Sequence, residues 1–227
     1  MNVITFQKLK ERQEKITMVS CADYISAKIV GDERSGIDVL LVGDSPVSLM
    51  HGFSTTVSVT LEMMVLHARA VVKGAPNKLV IADMPFLSYR KGFVEAMNAV
   101  EKLVQTGAQA IKLEGADGNL DLVKHIVDSG IPVMGHLGMT PQFINQFGGF
   151  RVQGKNELTA NKIFEAALSL EQAGCFGVVL ECVPIEVAKK ITQALTIPTI
   201  GIGAGPYTDG QVLLLDDLLG FNASFTP

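Results

Sequence analysis

The sequence predicts a single (β/α)₈ barrel over residues 1–227, and three observations lead to this fold. Eight short apolar segments recur along the chain, segments of helical periodicity separate them, and no low-complexity linker divides the chain. Hydrophobic residues make up 48% of the sequence and charged residues 19%, which is enough apolar material for one large core. A doubly wound open sheet is the alternative that this pattern leaves open.

The apolar segments are mostly continuous rather than alternating, as expected for parallel strands that helices cover on the outside. In chain order they are residues 16–23, 39–44, 79–84, 110–115, 131–136, 177–182, 197–205 and 212–217. The glycine-rich stretch 201–205 follows a late strand. It therefore indicates a tight turn rather than a dinucleotide-binding loop, whose glycines follow the first strand.

Helical periodicity fills the intervals between the predicted strands. The clearest segments are residues 60–75, 92–108, 157–175 and 184–195. Thr60 is a capping-type residue at the start of the first segment, and Gly107 follows the last turn of the second. Strands that alternate with helices in this way favour the barrel.

Composition and charge exclude several classes of function. The formal net charge is −4 and tryptophan is absent, so neither a basic surface nor an aromatic platform for nucleic acid is expected. No apolar run reaches the roughly 18 residues of a membrane span. Three cysteines, Cys21, Cys175 and Cys182, show no paired spacing. This sparse, odd number is typical of a reducing compartment, and we expect a cytoplasmic protein.

Polar residues lie at the carboxyl ends of the predicted strands, which is the edge where barrel enzymes build their active sites. They are Asp23, Asp44, Asp83, Glu114, His136, Glu181 and Asp216. An aspartate at such a position is also a common helix N-cap. His136 has two interpretations as well, a ligand contact or a structural histidine with satisfied hydrogen bonds.

Three neighbouring strands end in carboxylates, namely Asp44, Asp83 and Glu114. Carboxylates that converge would repel each other unless a cation lay between them, and oxygen ligands favour Mg²⁺. Lys112 precedes Glu114 by two residues and so faces the same side of the strand. It can offset the negative charge or donate to an anionic oxygen of a ligand.

Glu181 is a fourth strand-end carboxylate, and its apolar neighbours make it a candidate general acid or base with a raised pKa. The next residue, Cys182, is expected to point away and to pack rather than to act as a nucleophile.

Several motifs together resemble the ketopantoate hydroxymethyltransferase family, also called 3-methyl-2-oxobutanoate hydroxymethyltransferase. The resemblance runs from about residue 5 to residue 220, in the family's order and spacing. The motifs are LVGDS (41–45), IADMPF (81–86), IKLEG (111–115), GHLGMTPQ (135–142), FGGFRVQGK (147–155), LECVP (180–184) and IGIGAGPYTDGQVLLLDD (200–217).

The resemblance implies a (β/α)₈ barrel of the phosphoenolpyruvate/pyruvate type that forms homo-oligomers, typically decamers. It implies transfer of a hydroxymethyl group from the co-substrate 5,10-methylenetetrahydrofolate to 3-methyl-2-oxobutanoate, giving 2-dehydropantoate for pantothenate synthesis. By the family's motifs, Asp44, Asp83 and Glu114 would be the Mg²⁺ site. Asp44, Ser45, Asp83 and Lys112 would bind the 2-oxo acid, and Glu181 would transfer the proton.

Two other functions remain as alternatives. The first is another Mg²⁺-dependent enzyme of the same barrel superfamily that makes or breaks a C–C or C–P bond of a 2-oxo acid. The second is a catalytically silent barrel kept for binding or assembly, but Lys112, Glu181 and the metal carboxylates are all present. We also expect the C-terminal part of the fold to be missing, because residues 218–227 are too few for a covering helix after the eighth strand.

Overall fold

The computed structural model describes residues 2–221, and its strands follow the predicted order. They are β1 (Ile16–Ser20), β2 (Val39–Val42), β3 (Leu79–Asp83), β4 (Ala110–Glu114), β5 (Val133–Gly138), β6 (Gly177–Glu181), β7 (Thr199–Ile202) and β8 (Gly210–Leu214). These strands form a closed barrel in sequence order. The pairing is parallel where the register is defined, for example between Leu40 and Val80. The barrel predicted from the sequence is confirmed.

Helices precede and connect the strands, and those within residues 2–221 have the bounds given next. They are α1 (Val3–Glu11), α2 (Tyr24–Val30), α3 (Asp44–Met50), α4 (Leu61–Gly74), α5 (Phe93–Val104), α6 (Leu120–Asp128), α7 (Ile144–Phe147), α8 (Glu157–Gln172), α9 (Ile185–Ala194) and α10 (Leu215–Leu218). Short 3₁₀ turns lie at Glu33–Ser35, Thr56–Ser58 and Pro141–Phe143. The four helical segments named from the sequence are α4, α5, α8 and α9, each within a few residues of its predicted bounds.

The strands are buried because apolar side chains point to both faces. Every residue of β2, β3 and β4 is buried, including the polar ones at the strand ends. This is the environment that continuous rather than alternating apolar sequences predict. Polar side chains in such strands have lost contact with bulk water, so they need partners within the protein or a ligand.

The contacts of the chain group into two compact units, which we describe separately. The first unit consists mainly of Thr17–Ile111. In it α2 packs closely on α4, since a β-carbon at Gly74 would lie only 2.8 Å from the β-carbon of Ala27. Thr60 caps α4 by accepting a hydrogen bond from the Met63 N–H, as the sequence predicts.

The second unit consists of Val3–Ile16 and Lys112–Gln211. Phe6 of α1 packs edge-on against Phe176, with ring centroids 5.4 Å apart. Lys10 forms an ion pair at 2.9 Å with Asp209, which also accepts the backbone N–H of Thr199 at 2.8 Å. The amino-terminal helix is thus fixed within this unit by both an aromatic contact and an ion pair.

Three predicted strand ends are wrong, and the first of them is that of the seventh strand, which ends at Ile202 rather than at residue 205. The eighth strand was expected at residues 212–217 but ends at Leu214, so Asp216 lies in the first turn of α10, where a carboxylate complements the helix dipole. The first strand was expected to reach residue 23 but ends at Ser20, and Asp23 is the N-cap of α2. For Asp23, the helix-cap interpretation is the correct one.

His136 also differs from its predicted place, because it lies within β5 rather than at the end of that strand. The expectation about a missing covering helix falls partly on residues 222–227, which lie outside the described residues. Over residues 2–221, no helix is both long enough and apolar enough to cross a membrane.

Candidate active site

Two acidic residues of the first unit are neighbours where β2 and β3 end. The strands pair with Val42 opposite Ala82, and Asp83 is the last residue of β3, whereas Asp44 begins α3 after a single Gly43. Asp44 and Asp83 are each only 2% exposed. The backbone N–H of Asp44 donates to Asp83 Oδ2 at 3.1 Å. The structure therefore brings together two of the three predicted metal ligands.

Ser20, which sequence reasoning missed, is the last residue of β1 and is buried beside this pair. Its Oγ would lie 2.6 Å from a β-carbon placed on Gly43, and Asp83 Oδ2 would lie 3.6 Å from the same point. Within residues 2–221 the Ser20 hydroxyl has no hydrogen-bond partner. A buried hydroxyl in this state can bind a water or a ligand oxygen. The available signal was its position at the same strand edge as the carboxylates.

Ser45 is half-buried in the first turn of α3, and its carbonyl accepts the hydroxyl of Ser48 at 2.8 Å. The following Pro46 fits this turn because the first backbone N–H groups of a helix have no partner within the helix. Contact of Ser45 with a substrate stays a prediction.

Lys112 and Glu114 of the second unit are buried on β4, with exposed fractions of 4% and 1%. Lys112 Nζ lies 3.3 Å from His136 Nδ1. Glu114 accepts the backbone N–H of Gln142 at 3.0 Å, and its Oε1 lies 3.4 Å from His136 Nδ1. Two charges at the end of an apolar strand are thus turned inward rather than toward solvent.

His136 is the centre of this polar group, a role that the sequence did not indicate. Its Nε2 lies 3.2 Å from Glu181 Oε2, a distance that fits an ion pair, although the geometry does not satisfy the directional requirement for a hydrogen bond. We treat the contact as an ion pair, since attraction between charges depends less on angle. The imidazole therefore lies between two carboxylates, Glu114 and Glu181.

Opposing effects act on the pKa of His136. Burial and the neighbouring Lys112 charge both lower this pKa, but the contacts with Glu114 and Glu181 outweigh them and raise it to about 9. At neutral pH the ring is accordingly protonated, and its positive charge pairs with the two carboxylates. Of the two interpretations of His136, the structure shows a buried histidine with ionic partners.

Glu181 is the last residue of β6, and its side chain is 16% exposed. Its backbone is tightly fixed: Met139 N–H donates to the Glu181 carbonyl at 2.7 Å. Cys182 follows with φ +47°, a left-handed conformation that is unusual for this residue type. Hydrogen bonds hold Cys182 on both sides, from its N–H to Ile202 and from Gln153 N–H to its carbonyl, each at 2.9 Å.

The thiol of Cys182 is not activated. Burial, and then the negative charge of Glu181, raise its pKa, so the thiol stays protonated. This environment favours the predicted packing role over that of a nucleophile.

The oxygen donors of the first unit fit a hard divalent ion. Among residues 2–221 no group of three or more His, Cys, Asp or Glu side chains could by itself hold a metal ion. Mg²⁺ commonly uses one or two protein carboxylates and completes its coordination with water and substrate. Asp44 and Asp83 suit this arrangement, whereas Glu114 as third ligand stays a prediction.

Comparisons with known proteins agree on one family. The family model described as ketopantoate hydroxymethyltransferase matches residues 1–227. A 3-methyl-2-oxobutanoate hydroxymethyltransferase of Bdellovibrio bacteriovorus is 58% identical over 225 residues, which is 99% of this chain and 85% of that protein. The enzyme of the same name from Coxiella burnetii is 57% identical over 228 residues, covering 100% of this chain and 85% of the relative.

Solved structures with low sequence identity share the fold. A 2,3-dimethylmalate lyase of the PEP mutase/isocitrate lyase superfamily matches with a TM-score of 0.71 at 16% identity, over 98% of this chain and 83% of that one. A phosphonopyruvate hydrolase in complex with oxalate and Mg²⁺ matches with a TM-score of 0.73 at 11% identity, over 99% and 84%.

Proposed function

We propose, since this chain belongs to the ketopantoate hydroxymethyltransferase family, that it catalyses the reaction for which its relatives are named. The hydroxymethyl group passes from 5,10-methylenetetrahydrofolate to 3-methyl-2-oxobutanoate and gives 2-dehydropantoate, a step of pantothenate synthesis. The observation that carries the proposal is the buried group of Lys112, Glu114 and His136, together with the partly exposed Glu181 that contacts His136. Burial of three ionisable groups is costly, and a catalytic role accounts for it.

Glu181 acts as the base in this proposal. Its carboxylate takes the proton from C3 of the 2-oxo acid, the electron pair of that C–H bond becomes the enolate, and C3 then bonds to the methylene carbon of the folate. Cleavage of the two carbon–nitrogen bonds frees tetrahydrofolate, whose nitrogens take up the proton held by Glu181 and one proton of water, and the hydroxyl of that water completes the hydroxymethyl group. Such a base typically contributes about 10²–10⁴ in rate.

Lys112 donates to the keto oxygen of the substrate as negative charge develops on it. An ammonium group buried in a low-dielectric environment stabilises such charge more strongly than one in water. Lys112 and Glu114 both lie beside His136 within one unit, so the Glu114 carboxylate offsets the positive charge of this cluster.

His136 positions Glu181 without touching the substrate. Its Nε2, 3.2 Å from Glu181 Oε2, holds one carboxylate oxygen and leaves the other free to take the proton. A general base that is already held in the reactive geometry loses less entropy on reaching the transition state, so the barrier is lower.

Asp44 and Asp83 hold Mg²⁺, with Glu114 as the third acidic residue, and Ser45 helps to bind the 2-oxo acid. The ion supplies Lewis-acid stabilisation of the substrate's oxygens when bound. Oxalate and Mg²⁺ in the phosphonopyruvate hydrolase structure are consistent with this assignment, because oxalate also offers two adjacent oxygens to an ion. By resemblance to the family we further propose a cytoplasmic homo-oligomer, a decamer, which sedimentation analysis can test.

The decisive experiment measures 2-dehydropantoate formation by the purified protein with both substrates, with Mg²⁺ and then with a chelator. We expect Mg²⁺-dependent product, loss of the product in Glu181→Gln, and no loss in Glu186→Gln, a change of an exposed glutamate in α9. Phosphonopyruvate and 2,3-dimethylmalate serve as comparison substrates. Turnover of either one without 2-dehydropantoate formation would replace the proposal by another reaction of the same fold.

A further inference from the structure

Two histidines of the first unit face each other through the same ring nitrogen. His51 follows α3 and His67 lies in α4, and their Nε2 atoms are 3.0 Å apart. The ring planes are nearly perpendicular, at 83°. Two imidazole nitrogens bound to one tetrahedral Zn²⁺ at about 2.0–2.1 Å lie roughly 3.3 Å apart. The pair is therefore already close to the separation that a shared ion requires.

His67 presents a lone pair toward His51. Its Nδ1 lies 2.6 Å from the carbonyl oxygen of Ala22, an atom that can only accept. Nδ1 therefore carries the hydrogen, and in the neutral ring Nε2 is the acceptor. Histidines that bind metals have this same arrangement, in which the other ring N–H donates to a backbone carbonyl and fixes the tautomer.

His51 can offer the second lone pair. Its ring stacks on Phe53, with centroids 5.8 Å apart and planes at 22°, which orients the imidazole. Without an ion, His51 Nε2–H donates to His67 Nε2. When an ion binds, that proton moves to Nδ1 of His51, where water can accept it because the residue is exposed. Both Nε2 lone pairs are then free for the ion, and no proton is lost.

We propose that His51 and His67 together bind a divalent transition-metal ion, such as Zn²⁺ or Cu²⁺, at a site that is distinct from the Asp44–Asp83 pair and does not depend on the proposed function. Imidazole nitrogen selects these ions, whereas Mg²⁺ prefers oxygen. No group of three or more metal-binding side chains of these types occurs among residues 2–221, so water completes the coordination. The ion ties the end of α3 to α4.

The test measures Zn²⁺ binding to the untagged full chain, which is first stripped with a chelator and then saturated with Mg²⁺. Zn²⁺ is titrated in competition with a chromophoric chelator. We expect His51→Gln to lose one Zn²⁺ site, or to weaken it by more than about tenfold. The control is His125→Gln, which removes an exposed histidine from α6 of the second unit and should bind Zn²⁺ as the unmodified chain does.

Cu²⁺ supplies a second readout that does not depend on counting sites. Electron paramagnetic resonance of the unmodified chain with one equivalent of Cu²⁺ should show coupling to two nitrogens, which His51→Gln should reduce. The histidines would instead form only a hydrogen bond, and the proposal would be wrong, if His51→Gln matched the unmodified chain in Zn²⁺ binding and in the Cu²⁺ spectrum. His51 is the residue to change, because replacement of His67 would also remove the bond to Ala22.

Discussion

Gly138 lies directly against the main-chain carbonyl of Glu181, so close that a β-carbon at position 138 would collide with this oxygen and with the side chain of Val183. Gly138 also has φ +93°, which side-chain-bearing residues rarely adopt. The glycine at the end of β5 thus permits the close approach that sets the backbone of the proposed base.

The first prediction compares Gly138→Ala with Gly130→Ala. Gly130 has a similar φ of +87° but open space where its β-carbon would lie, so alanine there adds only backbone strain, roughly 1–2 kcal/mol. Gly138→Ala adds a steric clash as well, and we expect at least about 1 kcal/mol more loss in the free energy of unfolding, measured with urea. Equal losses of unfolding free energy in the two variants would mean that β5 and β6 can move apart at no cost to accommodate the added methyl group.

The second prediction separates Glu181 from Lys112. Exchange of the C3 proton of 3-methyl-2-oxobutanoate can be followed by NMR in deuterium oxide without folate. Glu181→Gln should slow the exchange by about 10²–10⁴ while substrate binding changes little. Lys112→Ala should weaken binding and exchange together. Undiminished exchange in Glu181→Gln would show that another group is the base.

The third prediction concerns metal removal. A chelator should abolish C3 proton exchange, and Mg²⁺ should restore it. Asp83→Asn keeps an oxygen that can accept the Asp44 N–H but loses the negative charge. The Mg²⁺ concentration for half-maximal exchange should therefore rise by about 10–100-fold, as is typical when a residue that supports a metal site is changed. Asp121→Asn, an exposed change in α6, is the control. An unchanged Mg²⁺ requirement in Asp83→Asn would exclude this carboxylate as a ligand.

The fourth prediction concerns the helix cap at Asp23. Its carboxylate accepts the Ser26 N–H at 2.9 Å, and Asp23→Ala should cost about 0.5–2 kcal/mol of stability at neutral pH. Burial raises the pKa of Asp23, but the hydrogen bonds from the first turn of α2 outweigh it and lower this pKa below its usual value. The ionised cap therefore stabilises the fold above the ordinary aspartate pKa.

This contribution should disappear as the pH falls through the lowered pKa of the folded state. Denaturant unfolding at a series of acidic pH values should accordingly show the difference between the original chain and Asp23→Asn shrink as the pH falls. Asparagine is the matched control because it caps helices without a charge. A difference that grows toward low pH would contradict this assignment of the cap.

The sequence predicted the barrel well because the signals that define it are local. Continuous apolar strands, helical spacing and strand-end carboxylates all lie within short windows, so Asp44, Asp83, Lys112, Glu114 and Glu181 could be selected one by one. The burial of Asp83, Lys112 and Glu114 follows from positions on strands whose two faces are both covered. The prediction that Asp216 ends a strand was wrong because two aspartates after an apolar run fit a strand end and a first helical turn equally well.

His136 and Ser20 show what a single sequence cannot give. The central role of His136 depends on which side chains of β4 and β6 lie beside it, and the pairing of strands that are distant in the chain sets those neighbours. Ser20 lies in an apolar strand. Only the structure shows that its buried hydroxyl has no hydrogen-bond partner among the described residues. Both depend on tertiary contacts rather than on local pattern.

The ion pair between Lys10 and Asp209 has a consequence for the order in which the protein is made. The two residues are 199 positions apart, and α1 belongs to the same compact unit as Lys112–Gln211. During synthesis, the segment of Val3–Ile16 therefore emerges long before the residues on which it packs. Thr17–Ile111, in contrast, forms most of the first unit as one continuous segment. We expect Thr17–Ile111 to gain structure while the ribosome is still translating, whereas α1 can pack only after Asp209 has been synthesised.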